Sequence, residues 1–495
     1  MAGRRRQLLD TADETIGRGP FAPTWESLSG YRAPDWYTDA KFGIFIHWLA
    51  ASVPAYGTEW YPRTMYLDGT PEYRHHRQAY GEQAVAGFKD FLPQFTAASF
   101  DAADWMSLIR RAGARYVVPV AEHHDGYHLG QTGLSRWSAT RIGPHRDLLG
   151  ELKAAAAAEG LHFGLSSHRA EHWWFFNGGT RFDSDVRDPR WADLYGPAEP
   201  KSTQPDQAFL DDWLARTVEL VERYDPELVW FDWWIEEPAF EPYRRTFAAY
   251  FYNHAAAAGH GAVINYKWDA FEPGTAVYDI ERGGTRGISP RPFQNDSSTS
   301  RRAWAYLTEN DYKTADEIVI DLVDAVSKNG VLLLNIGPRP DGTIDPIERR
   351  LLEQIGEWMV ANGEAIYGTR PWLVPGEGPT MPPAGSFTDT APPAFTPEDI
   401  RFTTRKDTLY GAVLNLRPDV TEVRIRSLAT ALRLFDGEVA AVHLLGVDSE
   451  LPFRRDTNGL TVSLPARPST SAVGVLRIDL RPAGPPPRAE PGIVD

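Results

Sequence analysis

The chain has 495 residues, of which 42% are hydrophobic and 24% charged, as in an ordinary globular protein with room for two or three domains. Its net charge of −16 argues against nucleic acid and anionic membranes as partners. The sequence contains no run of 18 apolar residues, so no membrane span is predicted. Because the chain has no cysteine, disulfides, thiolate catalysis and sulfur-ligated metal sites are excluded.

Residues 1–35 are mixed and polar, and we predict an N-terminal arm packed on the surface. The basic start Met1–Arg6 is similar to the first part of a signal peptide. However, acidic residues such as Asp10 and Asp13 interrupt any apolar stretch behind it. We therefore expect a cytoplasmic location.

From residue 36 to residue 372, short apolar runs alternate with helical patterns, which is typical of parallel strands joined by helices. Buried strands are predicted at 42–48, 114–125, 161–168, 227–234, 262–267, 276–282 and 331–336. Helices are predicted at 98–112, 147–158, 207–223, 238–258, 314–328 and 344–362. The segments 50–95 and 283–300 are predicted to be loops.

This alternation favours an α/β fold with a (β/α)8-like TIM barrel over residues 36–372, rather than an open doubly wound sheet. No glycine-rich phosphate loop follows the first strand, so dinucleotide binding is disfavoured. Pro and Gly in 373–398 predict a linker, and short alternating runs in 399–482 predict a C-terminal antiparallel β-sandwich. A disordered tail is predicted for 483–495, which contains three consecutive prolines.

Polar residues end most of the predicted barrel strands. In chain order they are His47, then His123, His124 and Asp125, then His168, Asp232, Lys267 and Glu281. A parallel barrel gathers the carboxyl ends of its strands around one mouth, so we expect these side chains to share a site. Each one alone has a structural explanation, since a histidine can be a hydrogen-bonded core residue and an aspartate can cap the next helix.

The histidines raise the alternative of a metal-dependent hydrolase. Neighbouring residues of a strand point to opposite faces, so His123 and His124 should not reach one ion without a bulge. These sites also lack His-x-His and His-Glu-x-x-His spacing. We therefore predict no metal and no cofactor, and a chelator should leave activity unchanged.

A pair of carboxyls offers a different chemistry. Asp232 and Glu281 end different predicted strands that face the same mouth. Glycoside hydrolysis needs two carboxyl groups, which retaining enzymes hold about 5 Å apart and inverting enzymes hold further apart. Uncharged histidines and tryptophan rings beside such a pair suit a neutral polyhydroxylated ligand.

Several uncommon strings resemble the α-L-fucosidases of glycoside hydrolase family 29. They are Ala40–Trp48, Ser52–Ala55, Glu59–Tyr61, Glu122–Tyr127, Trp230–Asp232 and Ser327–Pro338. The resemblance runs through most of residues 25–370 and implies a (β/α)8-like barrel followed by a β-sandwich. It implies a retaining exo-α-L-fucosidase that forms a covalent glycosyl–aspartyl intermediate. The implied partner is a fucosylated oligosaccharide or glycoconjugate, and no oligomeric state is assigned.

The same resemblance assigns roles to residues. Asp232 matches the catalytic nucleophile, and Lys267 stands where many members have a sugar-binding arginine. The residues that match the fucose-binding residues of the family are His47, Glu59, Trp60, His123, His124 and Trp230. Trp304 matches an aromatic residue near the methyl group of the sugar. For the acid/base we choose Glu281, and its competitors are Glu237, Asp279 and Asp296.

Some positions depart from the family pattern. Leu49 and Trp233 stand where glycine is usual, and Ser166–Trp174 differs from the string of the best-known members. These departures do not change the expected reaction class. They leave open which leaving group, and which sugar, the enzyme prefers. The alternatives are an α-L-galactosidase of the same mechanism and a catalytically silent carbohydrate-binding barrel.

Overall fold

The structure is a computed structural model that describes residues 2–389, 393–465 and 471–481. Eight parallel strands, each hydrogen-bonded to the next, close into a barrel through the pairing of the first with the last. They are β1 (Phe42–Ile46), β2 (Tyr116–Glu122), β3 (His162–Ser167), β4 (Leu228–Phe231), β5 (Val263–Tyr266), β6 (Val277–Glu281), β7 (Phe293–Ser298) and β8 (Gly330–Ile336). The predicted (β/α)8-like barrel is confirmed.

Helices surround the barrel, and several begin where a side chain accepts a free backbone N–H of the first turn, as Asp206 does for Phe209. They are α1 (Ala2–Arg18), α2 (Trp25–Leu28), α3 (Asp35–Ala40), α4 (Tyr61–Thr64), α5 (Pro71–Ala79), α6 (Ala102–Arg111), α7 (Leu148–Ala158), α8 (Ala192–Tyr195), α9 (Gln207–Tyr224), α10 (Glu241–Ala258), α11 (Ala315–Ser327) and α12 (Pro346–Asn362). The six predicted helices correspond to α6, α7, α9, α10, α11 and α12. No helix among the described residues has the length and apolar character needed to cross a membrane.

The prediction of a loop over 283–300 is wrong, because it contains strand β7, which pairs with β6 and β8. Its sequence Phe-Gln-Asn-Asp-Ser-Ser has one apolar residue, so hydrophobicity gave no signal. Neighbouring polar groups inside the barrel replace that apolar packing. Gln294 donates to Asp279 (2.9 Å) and accepts from the Tyr37 hydroxyl (3.0 Å).

Two other predicted loops or arms are helical. The polar arm contains α1, which packs on α9 and α10, buries Leu8 and Ala12, and pairs Arg4 with Glu219 (3.2 Å). The long segment 50–95 contains α4 and α5. Helices α1 and α5 each bury only two residues and are mostly polar, so the sequence carries little hydrophobic signal for them.

The C-terminal region is confirmed as two antiparallel sheets around one core, in which Phe402 of one sheet and Leu460 of the other belong to the same buried cluster. The strands are β9 (Arg370–Glu377), β10 (Ile400–Arg405), β11 (Thr408–Val413), β12 (Glu422–Ile425), β13 (Glu438–Leu444), β14 (Phe453–Asp456), β15 (Gly459–Ser463) and β16 (Gly474–Arg481). The strand orders are β13-β16-β11-β10-β9 and β12-β15-β14.

The boundary of the barrel domain differs from the expected one. The predicted linker 373–398 begins inside β9, which is an edge strand of the five-stranded sheet. Beyond β9 the chain returns to the barrel, where Gly385 pairs with Gly284 just after β6. The predicted tail 483–495 lies outside the described residues.

Candidate active site

A cavity of about 530 Å³ opens where the barrel strands end. The ten residues that were assigned a catalytic or sugar-binding role all line it: His47, Glu59, Trp60, His123, His124, Trp230, Asp232, Lys267, Glu281 and Trp304. His168, which was also predicted at a strand end, lines it too. Asp125 does not line it; its carboxylate accepts the Tyr127 backbone N–H at 2.9 Å. The barrel therefore brings together residues that are up to 257 positions apart in the chain, from His47 to Trp304.

Asp232 follows the last residue of β4 and is 8% exposed. Its Oδ2 accepts the Nδ1–H of His168 (2.9 Å), and its Oδ1 accepts the Trp233 backbone N–H (2.9 Å). Burial opposes ionisation, but Lys267 and His168 together hold the pKa of Asp232 well below its usual value. The carboxyl is thus an anion with fixed orientation, as a nucleophile requires.

Lys267 lies between the two candidate catalytic carboxyls. Its Nζ is 2.6 Å from Oε2 of Glu281 and 3.3 Å from Oδ1 of Asp232. These two oxygens therefore lie at most about 5.9 Å apart, which is the sum of the two contacts. This limit applies to the two nearest oxygens, and it is compatible with the separation of about 5–5.5 Å between the carboxyl groups of retaining glycosidases.

The three competitors of Glu281 occupy other environments. Glu237 lies outside the cavity, where it accepts from Gln204 at 2.6 Å. Asp279 is buried, does not line the cavity and accepts from Trp230 Nε1 (3.1 Å). Asp296 lines the cavity and is completely buried, and burial together with Asp279 raises its pKa well above the usual value. Glu281 is partly exposed, so among these acids it is the one that both lines the cavity and reaches solvent.

Replacing Lys267 with methionine is expected to move the acidic limb of the pH profile of kcat/KM to higher pH. Asp232 must be ionised to act, and the ammonium group 3.3 Å away favours that ionised form. Without it the pKa of Asp232 should rise, shifting the acidic limb upward by at least about one unit. The control is Lys328→Met, since Lys328 is also buried and paired, with Asp324 at 2.6 Å, outside the cavity. An unchanged limb in Lys267→Met would contradict this electrostatic role.

One wall of the cavity is a connected set of hydrogen bonds. His47 donates from Nδ1 to Asn335 Oδ1 (2.7 Å), and Asn335 donates to the backbone oxygen of Trp304 (2.7 Å). Glu59 accepts the Trp304 backbone N–H at 2.9 Å. Burial lowers the pKa of His47 and raises that of Glu59. This wall presents an uncharged imidazole and an aromatic face, which suit hydroxyl groups and a methyl group.

The histidines that follow β2 form a neighbouring wall, with the His123 ring 5.8 Å from that of His47, and they correct one expectation. His123 and His124 were expected to point to opposite faces of a strand, but both line the cavity, with ring centroids 4.0 Å apart. The strand ends at Glu122, after a shift of register between Val120 and Glu122, so neither histidine lies within it. The alternation rule therefore does not apply to them.

A buried carboxylate supports this wall from behind. Oε2 of Glu171 lies 3.2 Å from Nδ1 of His124, whose Nε2 lies 3.6 Å from Asp232. Burial opposes a charge on His124, but Glu171 raises its pKa above the ordinary value. Glu171 belongs to the string Ser166–Trp174 that departs from the family pattern, and the sequence analysis gave it no role.

The imidazoles also bear on the question of metal binding. One ligand atom each from His47, His123 and His168 could approach a common ion. However, both ring nitrogens of His168 are already engaged, with Nδ1 on Asp232 and Nε2 on Ser166 at 2.9 Å. Burial lowers the pKa of His168 to about 4, so a neutral ring donates to Asp232 and accepts from the serine hydroxyl. His168 is thus oriented by its hydrogen bonds to the carboxylate of Asp232 and to Ser166.

Other residues complete the cavity. They are His168, Trp233, Trp268, Arg282, Asp296, Arg301, Arg302 and Phe387. Arg282 directly follows Glu281, and its guanidinium lies 4.9 Å from the centre of the Trp304 ring. Phe387 comes from the segment predicted as a linker, so no strand-end rule could have placed it here.

Because Asp232 and Glu281 both contact Lys267 where the barrel strands end, the site supports the two-carboxyl chemistry of a glycoside hydrolase. Comparison with known proteins agrees with this class. The sequence profile described as Alpha-L-fucosidase matches residues 9–364, and the chain belongs to this family.

Similar proteins cover most of the chain. Tissue alpha-L-fucosidase of Mus musculus is 30% identical over 468 residues, covering 91% of this chain and 92% of that protein. Plasma alpha-L-fucosidase of Homo sapiens is 34% identical over 364 residues, covering 71% and 73%. The crystal structure of Thermotoga maritima alpha-fucosidase in complex with fucose superimposes with a TM-score of 0.73 at 27% identity, covering 92% of this chain and 100% of that one.

Proposed function

We propose that the protein is a retaining exo-α-L-fucosidase that removes terminal α-L-fucose from oligosaccharides or glycoconjugates. Asp232 is the nucleophile and Glu281 the acid/base. The observation that carries this proposal is the position of Lys267, whose contacts limit the separation of the two carboxylate oxygens to about 5.9 Å. Retaining glycosidases hold their two carboxyl groups about 5–5.5 Å apart, and the contacts of Lys267 are compatible with that spacing.

In the first step, an oxygen of Asp232 attacks C1 of fucose from its β face. The C1–O bond to the leaving group breaks, and Glu281 gives its proton to the departing oxygen, which leaves as an alcohol. The product is a β-linked fucosyl ester of Asp232. The His168 Nδ1–H, at 2.9 Å from Oδ2, keeps the carboxylate oriented for this attack.

In the second step, the carboxylate of Glu281 takes a proton from water, and the water oxygen attacks C1 from the α face. The ester bond to Asp232 breaks, which returns both carboxyls to their starting states and releases α-L-fucose. Two inversions give net retention. The same residue serves as acid and then as base, so it must lie beside the leaving-group oxygen in both steps.

The lining of the cavity suits a neutral deoxy sugar. Burial lowers the pKa values of His47 and His123, so neutral imidazoles face the hydroxyl groups. Trp60 and Trp304 line the same cavity and offer faces for ring carbons and the C6 methyl group. L-galactose carries a hydroxyl at C6 and would place it against such an apolar face without a matched partner.

The test is hydrolysis of 4-nitrophenyl α-L-fucoside, with the β-L-fucoside and the α-L-galactoside as controls, while NMR follows the first sugar released. We expect the α-L-fucoside to be preferred over the galactoside by at least about tenfold, and α-L-fucose to appear before mutarotation. Initial release of β-L-fucose would contradict the retaining mechanism. A preference for the galactoside would favour the α-L-galactosidase alternative, and binding without hydrolysis would favour the silent barrel.

A further inference from the structure

Two large aromatic side chains stand partly in solvent at the mouth of the cavity. Trp268 is 47% exposed and Phe387 is 54% exposed, and both line the cavity. Trp268 directly follows Lys267, whereas Phe387 arrives from a segment more than 100 positions further along the chain. Aromatic side chains of this size are usually buried, so their exposure beside the active-site cavity indicates a role in binding.

The backbone at both positions is unusual. Trp268 has a φ of 56° and Phe387 a φ of 59°, which is the left-handed region that bulky residues rarely adopt. Because half of each side chain is exposed, burial does not account for holding these conformations. Such outliers cluster at sites that bind ligands, where the surrounding structure fixes them.

Backbone hydrogen bonds hold Phe387 against the end of strand β6. Its N–H donates to the carbonyl oxygen of Glu281 at 2.8 Å, and the N–H of Thr388 donates to that of Arg282 at 2.7 Å. Next to them, Asp389 accepts from Lys313 Nζ at 2.7 Å. The Phe387 ring is therefore presented by a segment that is tied both to the end of β6 and to Lys313.

The position of the two rings relates directly to the chemistry. Trp268 is joined to Lys267 and Phe387 is bonded to Glu281, and the side chains of Lys267 and Glu281 touch at 2.6 Å. In the proposed mechanism Glu281 protonates the glycosidic oxygen, so the leaving group lies on the side of the sugar next to Glu281. Both rings thus border the space that a leaving group must occupy.

We propose that Trp268 and Phe387 form a leaving-group site, which takes a sugar or aryl ring with a flat apolar face on the far side of the glycosidic oxygen. The proposal rests on the proposed function and deepens it. Aromatic faces contact ring carbons over a broad area without demanding one arrangement of hydroxyl groups. The site therefore favours the ring shape of the leaving group over the identity of its substituents.

The experiment compares Phe387→Ala and Trp268→Ala on two substrates, α-L-fucosyl fluoride and an α-L-fucosyl disaccharide. Fluoride is too small to reach either ring, so only the disaccharide can use them. We expect the ratio of kcat/KM for the disaccharide to that for the fluoride to fall about tenfold in each variant, and Phe387→Tyr to restore it. The control is Met381→Ala, since Met381 is 79% exposed in the same segment and outside this cavity.

The outcomes separate this proposal from the proposed function. An unchanged ratio in both alanine variants, with an active parent enzyme, would overturn the leaving-group site and leave the fucosidase assignment intact. Equal losses on both substrates would also overturn it, because the rings would then act on the fucose side or on folding. A parent enzyme that hydrolyses neither substrate would overturn the proposed function and this proposal together.

Discussion

Replacing Asp232 with alanine should lower kcat for 4-nitrophenyl α-L-fucoside by at least about 10,000-fold. Without this carboxylate, C1 has no group to form the covalent ester, and the positive charge that develops on the sugar loses its nearest anion. The loss should appear with aryl fucosides and disaccharides alike, because the nucleophile acts on the fucose itself. Stopped assays with purified enzyme at high concentration measure such a decrease.

Azide gives this prediction a stereochemical readout. In Asp232→Ala, azide can enter the space left by the carboxylate and attack C1 from the β face, which yields β-L-fucosyl azide. The matched control is Asp419→Ala, whose carboxylate is 74% exposed and remote from the cavity, and which should keep full activity. Near-normal turnover by Asp232→Ala would show that Asp232 is not the nucleophile.

Replacing Glu281 with alanine should produce a loss that depends on the leaving group. An alcohol leaving from a natural disaccharide needs the proton of an acid, so its hydrolysis should slow by about 100- to 10,000-fold. A fluoride or a 4-nitrophenolate leaves without that help, so formation of the ester should be much less affected. With such activated substrates the ester should accumulate, because no base remains to activate water.

Azide separates Glu281 from its competitors. It needs no general base, so in Glu281→Ala it should attack the accumulated ester from the α face and give α-L-fucosyl azide, the opposite anomer from that of Asp232→Ala. The control is Asp296→Asn, which changes a carboxyl that lines the same cavity but is completely buried. If Asp296→Asn instead yields the α-azide while Glu281→Ala hydrolyses disaccharides normally, the acid/base role belongs to Asp296.

The barrel could be predicted because its strands are short apolar runs between amphipathic helices, as in β4 and β8. Part of the candidate site followed from one rule, that the carboxyl ends of parallel strands meet. That rule needs only local information, since it asks which residues lie at the end of each strand. Asp232, Lys267 and Glu281 were all found in this way. The resemblance to the family, and not this rule, supplied Glu59, Trp60 and Trp304 and the role of each residue.

Features stabilised by long-range polar contacts escaped the sequence analysis. Strand β7 is built of residues such as Gln294, whose partners Tyr37 and Asp279 lie on other elements. Glu171 lies in a short helical turn and contacts His124, and the residues next to it in the sequence give no pattern that predicts this contact. Phe387 reaches the cavity because its segment folds back from the second domain onto the barrel. No local sequence pattern predicts that path of the chain.

The most direct test of the central claim, that Asp232 attacks the sugar across from Glu281, is to identify the residue that forms the covalent ester. 2-Deoxy-2-fluoro-α-L-fucosyl fluoride should form the ester faster than it is hydrolysed, because fluorine at C2 slows both steps while the fluoride leaving group hastens the first. Mass spectrometry of the digested protein should place one fluorofucosyl group on Asp232. A label on any other residue, or full turnover with no adduct, would contradict the account.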